Sequence, residues 1–133
     1  MNVLRKRVGL PLEVVETNER YFLDCAKSFF DKGTTLERVY MDGSEFILVV
    51  DEDGLAKQLP LNFLLSFENR MFPVQMIVGD VVFIRNKEEP KVGEIYDWEV
   101  SDVTSEDIKT INNILSPDYQ RQLRALFHAF CKS

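Results

Sequence analysis

The stretch from Glu45 to Arg85 constrains this chain most. It begins with the apolar run Phe46–Val50, turns at Asp51-Glu52-Asp53-Gly54, crosses a Pro60-Leu61-Asn62 corner and ends in Ile77-Val78-Gly79-Asp80-Val81-Val82-Phe83-Ile84. Runs rich in Val, Ile and Phe, bounded by turn residues, read as buried strands. They are the expected core.

The segments before this core read as strand, strand, helix, strand. Val3–Val8 and Leu12–Glu16 flank Gly9-Leu10-Pro11 and predict an opening hairpin. Thr17 or Asn18 is placed to cap a helix through residues 19–32, which stops at Gly33. Phe22, Cys25, Ala26, Phe29 and Phe30 give it one apolar face. Leu36–Met41, followed by Asp42-Gly43, predicts a hairpin with Phe46–Val50. Leu55–Leu59 reads as a weaker strand, and Leu61–Met71 as either a helical turn or a packed loop. Val81–Ile84 is the last central strand, and Glu94–Val100 predicts a short edge strand carrying Trp98.

After residue 103 the pattern changes to helix. Thr104 or Ser105 caps a helix with Ile108, Ile111, Ile114 and Leu115 inward. Pro117 opens a second, whose stripe is Tyr119, Leu123, Leu126, Phe127 and Phe130. That stripe fits either a contact within the chain or docking of a second copy. The expectation is α+β: one domain, 1–133, with an antiparallel sheet and one early helix over 1–103 and a C-terminal helical pair over 104–133.

The chemistry looked for is sparse. His128, three residues before Cys131, makes two ligands at most, too few for structural zinc. Cys25 with His128 would need a third, orienting group. Asp51, Glu52 and Asp53 lack the ligand series of a calcium loop. No phosphate loop, nucleophile elbow or HExxH helix occurs. No metal or cofactor is expected, and an enzyme is the last-ranked alternative. A reduced cysteine pair, no run long enough to span a bilayer and no apolar leader in Met1–Arg7 predict a cytoplasmic protein.

Two stretches, Met1–Glu16 and the core with its Leu-Pro-x-Asn corner and Val-Gly-x-Val-Val-Phe-Ile strand, resemble the DUF3846 family. The residues carrying the resemblance are Leu48, Val49, Asp51, Gly54, Leu59, Pro60, Asn62, Val78, Gly79, Val82 and Phe83. The resemblance covers roughly residues 1–85. The basic Arg5-Lys6-Arg7 cluster and the helix after Ser116 depart from it. It implies a small accessory protein of phages and mobile elements in a bacterial host, where inhibitors of host defence are common.

Two charged sets are the candidate sites. The formal net charge is −6, which argues against broad backbone-driven nucleic-acid binding and fits a basic partner. Acids concentrate after residue 87: Glu94, Asp97, Glu99 and Asp102 surround Tyr96 and Trp98. A solvated edge is the ordinary reading. The functional one is a surface for the basic groove of a nucleic-acid-handling defence protein, with an aromatic anchor. This gives the leading expectation, a non-enzymatic inhibitor (anti-CRISPR or anti-restriction) acting by protein–protein binding. The second set, Arg5, Arg7, Arg121 and Arg124, would hold phosphate if the termini meet. That gives the alternative, an oligomeric sponge, a homodimer or larger, for a nucleotide signal.

Overall fold

A computed structural model describes residues 1–41, 45–67, 73–87 and 98–132. In chain order the elements are β1 (Asn2–Lys6), β2 (Glu13–Glu16), α1 (Phe22–Lys27), β3 (Leu36–Tyr40), β4 (Phe46–Asp51), β5 (Leu61–Ser66), β6 (Val74–Val78), β7 (Val81–Asn86), β8 (Val100–Ser101), α2 (Ser105–Leu115) and α3 (Pro117–Lys132). A six-stranded antiparallel sheet has the order β2-β1-β7-β4-β3, with β8 also paired to β7. β5 and β6 form a separate hairpin. The α+β expectation holds, with one short early helix and two late ones.

Alternation along β4 and β7 sets the layers. Side chains of a strand point to opposite faces in turn. Phe46, Leu48, Val50, Val81 and Phe83 share one buried cluster; Ile47, Val49, Val82 and Ile84 share another. The first face meets Phe63, Leu65 and Phe67 of the β5 segment, Ile77 of β6, and Ile111 of α2. The second is covered by α1 through Phe22, Cys25 and Ala26. α3 lies on the far side of the hairpin, where Leu123, Tyr119 and Phe127 pack on Leu64 and Val74. Its stripe is therefore covered within the chain in part, while Leu126 remains 58% exposed.

Three segments differ from expectation. α1 is far shorter than residues 19–32, and neither Thr17 nor Asn18 caps it. Residues 20–22 are held extended instead: Val100 N–H donates to the Arg20 carbonyl (2.7 Å), Tyr21 bridges Glu99, and Phe22 N–H donates to the Trp98 carbonyl (2.8 Å). Thr17 accepts from Glu19 N–H rather than starting a helix. At the other end the Ser28 hydroxyl donates to the Cys25 carbonyl (2.6 Å), and the chain leaves in tight turns. Leu55–Leu59 is not a strand. Asp51 accepts from Asp53 N–H (2.9 Å) and Lys57 Nζ (2.7 Å), winding residues 52–58 into turns that end at Gln58 with φ 56°. Leu61–Ser66 is a strand rather than a helical turn or loop. Its period of two is masked in the sequence because α3 buries the second face at Leu64. The Asp42-Gly43 turn and most of the Glu94–Val100 edge strand lie outside the described residues; Val100–Ser101 is the described strand there.

Two polar junctions fasten the layers. At the Pro60 corner the register of the hairpin slips between Leu61 and Phe63. The Asn62 amide donates to the carbonyls of Lys6 (2.8 Å) and Gly79 (2.9 Å), and its oxygen accepts from Lys6 Nζ (3.1 Å). Gly79 sits at φ +73°, and an added Cβ would lie 2.8 Å from a Leu59 methyl. The corner thus ties β1, β5 and the β6–β7 turn at one point. On the opposite side of the hairpin layer, Arg85 forks onto Asp107: Nε to Oδ2 and a terminal nitrogen to Oδ1, both 2.7 Å. Asp107 also accepts from Thr104 N–H (2.9 Å), while the Thr104 hydroxyl accepts from Asp107 N–H (3.0 Å), a complete capping box. One carboxylate both caps α2 and bolts it to β7.

Burial alone would raise the Asp107 pKa; the Arg85 fork and the Thr104 N–H outweigh it and hold the carboxyl below its usual range. A depressed folded pKa contributes stability that is full above about pH 4 and lost as pH falls through the folded value. Asp107→Asn should therefore destabilise at pH 7 by about 2 kcal/mol, since it leaves Arg85 with only the exposed Glu45 carboxylate (2.6 Å) as its charged partner. The loss relative to wild type should shrink as urea midpoints are measured from about pH 5 down to about pH 2. Asn62→Ala should cost about 2 kcal/mol in urea at pH 7, because it leaves two part-buried carbonyls and Lys6 Nζ short of a partner.

Candidate functional site

The acidic set enters and leaves the fold through a fixed neck. Residues 88–97, which hold Glu94, Tyr96 and Asp97, lie outside the described residues. They connect β7 to β8, and both ends of that connection are described. Lys87 N–H donates to the Glu99 carbonyl (2.9 Å), closing the neck. Glu99 accepts two bonds from Arg20 (Nε 2.9 Å, terminal nitrogen 2.6 Å) and one from Lys87 Nζ (3.2 Å). The Arg20 and Lys87 bonds hold its carboxyl below the usual range, so Glu99 is charged and already partnered at neutral pH.

Trp98 is half-buried in the cluster under α1, beside Val15, Phe29, Phe30 and Leu36. The Arg38 guanidinium lies over its ring at 5.7 Å and over the Phe22 ring at 4.6 Å. That geometry places one cation against two aromatic faces. Trp98 is therefore a wedge in the fold, and its indole is not a freely presented anchor. Asp102 is exposed; one carboxylate oxygen accepts from Asn2 N–H (2.7 Å), where Val103 N–H returns a bond to the Asn2 carbonyl (3.0 Å). The sequence grouped these residues by charge. The structure separates Trp98 and Glu99, which build the neck, from Asp102, which joins β8 to β1.

The basic set divides between two elements. Arg5 and Arg7 both bond Glu13, at 3.2 and 2.8 Å, across the opening hairpin. These bonds hold the Glu13 carboxyl below its usual range. Arg121 pairs with Asp118 (3.1 Å) one turn earlier on α3, and Arg124 is exposed on the same helix. Among the described residues no bond joins the β1 pair to the α3 pair.

Cys25 and His128 do not meet. Cys25 is buried on the sheet-facing side of α1, where burial pushes its thiol up and makes it unreactive; His128 is exposed on α3, beyond the hairpin on the other side of the sheet. Among the described residues no group of three His, Cys, Asp or Glu could hold a metal. Among them, too, no helix is long and apolar enough to cross a membrane.

A cleft of about 340 Å³ lies between β3 and β6. Val39, Val50, Phe67 and Ile77 line it, with Glu37 and Glu52 at its margin. Tyr40, Leu55 and Met76 in its lining are 51%, 66% and 42% exposed. Its signal in the sequence is faint: Tyr40 and Met76 fall where an alternating strand points outward, and such residues read as ordinary surface.

If Trp98 is a wedge, its loss costs stability whatever the protein binds. Trp98→Ala should lower unfolding free energy by about 2 kcal/mol, less than a fully buried tryptophan, in urea titrations of the isolated protein. The comparisons with known proteins supply no relative: no family model, curated protein or solved structure matches this chain.

Proposed function

We propose that this chain is a non-enzymatic binding protein, encoded by a phage or mobile element, that inhibits a nucleic-acid-handling enzyme of host defence. The observation that carries this reading is the neck. An acid-rich connection starts and ends at points fixed by main-chain bonds and the Arg20–Glu99–Lys87 cluster. Variable, charged segments mounted on a rigid scaffold are where binding surfaces are commonly built. The net charge of −6 gives long-range attraction to a basic groove. Glu94, Tyr96 and Asp97 then make the contact and Asp102 lies at its edge, while Trp98 and Glu99 hold the segment in place. The likeness of the core to DUF3846 supplies the mobile-element setting.

The test separates the two roles. Tagged protein is used to capture its partner from a bacterial lysate, and the affinity of the purified pair is measured. Glu94→Lys with Asp97→Lys should weaken that affinity by at least about tenfold, mainly through association rate, with unchanged urea midpoint. Raising salt from about 0.05 to about 0.5 M should weaken the wild type more than the variant. Equal affinities for wild type and variant would overturn this assignment of the surface.

A further inference from the structure

The edges of the two sheets are treated differently. On β5, the Gln120 side chain of α3 accepts from Leu64 N–H (2.9 Å) and donates to the Leu64 carbonyl (3.0 Å). One amide thus seals the main chain of that edge, and Gln120 is further fixed by the Ile114 carbonyl (2.7 Å). β3 ends the order of the six-stranded sheet, and β6 pairs only with β5. Both face the cleft.

The register identifies the main-chain groups of β3 that turn outward and that no other described residue bonds. Glu52 N–H donates to the Thr35 carbonyl (2.9 Å), and the register pairs Glu37 with Val50 and Val39 with Leu48. In an antiparallel pair the bonded positions alternate, so residues 35, 37 and 39 spend their main-chain groups on β4. Leu36, Arg38 and Tyr40 therefore direct theirs away from the sheet. Side chains alternate in the other sense. Val39 belongs to the cluster facing the hairpin and Glu37 lines the cleft with it, whereas Leu36 and Arg38 pack on the α1 side.

We propose that the β3 edge takes an extended segment of a partner protein as an added strand, with one row of its side chains in the cleft. Main-chain pairing along an open edge gives affinity in this mode, and the pockets for alternate side chains give specificity. Here the pockets specify the guest. A residue facing Val39 meets the apolar side chain of Ile77, which shares the Val39 cluster, and wants an aliphatic or aromatic side chain. Two residues along, its neighbour faces Glu37, with Glu52 at the same margin, and wants Lys or Arg. The basic side chain of the lining, Arg38, is turned to the α1 side over Phe22 and Trp98, so it does not cancel those acids. The occupant is thus a basic, alternating strand. The proposal does not rest on the Glu94–Asp97 contact.

The test is panning of a random peptide library of about ten residues on the whole protein, followed by affinity measurements on one recovered peptide. Recovered sequences should place Lys or Arg two residues from Val, Ile, Phe or Tyr. Tyr40→Pro removes an outward N–H that bonds no other described residue, and proline is tolerated at such an edge position. It should weaken the peptide by at least about tenfold while the urea midpoint changes little. Glu37→Lys should weaken basic peptides and spare a peptide in which the basic residues are replaced by Gln. Glu94→Lys with Asp97→Lys should leave peptide affinity unchanged. Recovery of no such pattern, or peptides indifferent to Tyr40→Pro and Glu37→Lys, would overturn the proposal. So would self-association of the free protein, in light scattering, that Tyr40→Pro abolishes, since the occupant would then be a second copy.

Discussion

The burial of β7 on both faces is the constraint on which the other layers depend. Val81, Val82, Phe83 and Ile84 are each no more than 1% exposed, so neither face of the strand can be left to water. One face demands the hairpin and α2; the other demands α1. The same strand pairs with β1, β4 and β8, which makes it the only described strand in ladder with three others. Packing against a strand of this kind is favourable by about 25 cal/mol per Å² of apolar surface removed from water. The rest of the chain is arranged to supply that cover. Where cover ends, at Arg85, the strand turns polar and the fork to Asp107 replaces apolar contact with paired charge.

Much of this was legible from residue pattern. Phe46–Val50 and Val81–Ile84 are continuous apolar runs because both faces are buried, and such runs announce themselves. The helices after residue 103 were equally plain: Thr104 and Asp107 stand at capping-box spacing, and Ile108, Ile111, Ile114 and Leu115 mark one face. The early helix was overread. Its apolar residues do face the sheet, but their spacing cannot reveal that Arg20, Tyr21 and Phe22 are claimed by residues 98–100. Long-range main-chain bonding overrode local propensity there. Leu61–Ser66 was underread for the opposite reason. A strand covered on both faces by elements far along the chain loses the alternation that would identify it.

The candidate surfaces show the same limit. Charge clustering found the acidic segment but could not divide anchors from fasteners. Trp98 looked like a presented aromatic because acids flank it, and only the position of Arg38 over its ring explains its presence. Arg5 and Arg7 were grouped by charge with the arginines of α3, and the sequence could not show that both pair with Glu13 across the hairpin. The cleft between β3 and β6 was invisible, because it is made by two strand edges that are neighbours only after the hairpin has folded over the sheet.

The joint between β8 and β1 has a kinetic consequence. Both strands lie along the same side of β7, one after the other, linked where Asn2 exchanges main-chain and side-chain bonds with Asp102 and Val103. β1 therefore cannot take its place in the sheet before β7, far along the chain from it, is there to receive it. Until then β1 has only its hairpin partner β2, and a two-stranded hairpin is marginal in water. The β3–β4 and β5–β6 hairpins are local and can close early, whereas the central pairing waits on a long loop. Sequence order and order of assembly differ for this strand: β1 precedes both local hairpins along the sequence and is fixed after them.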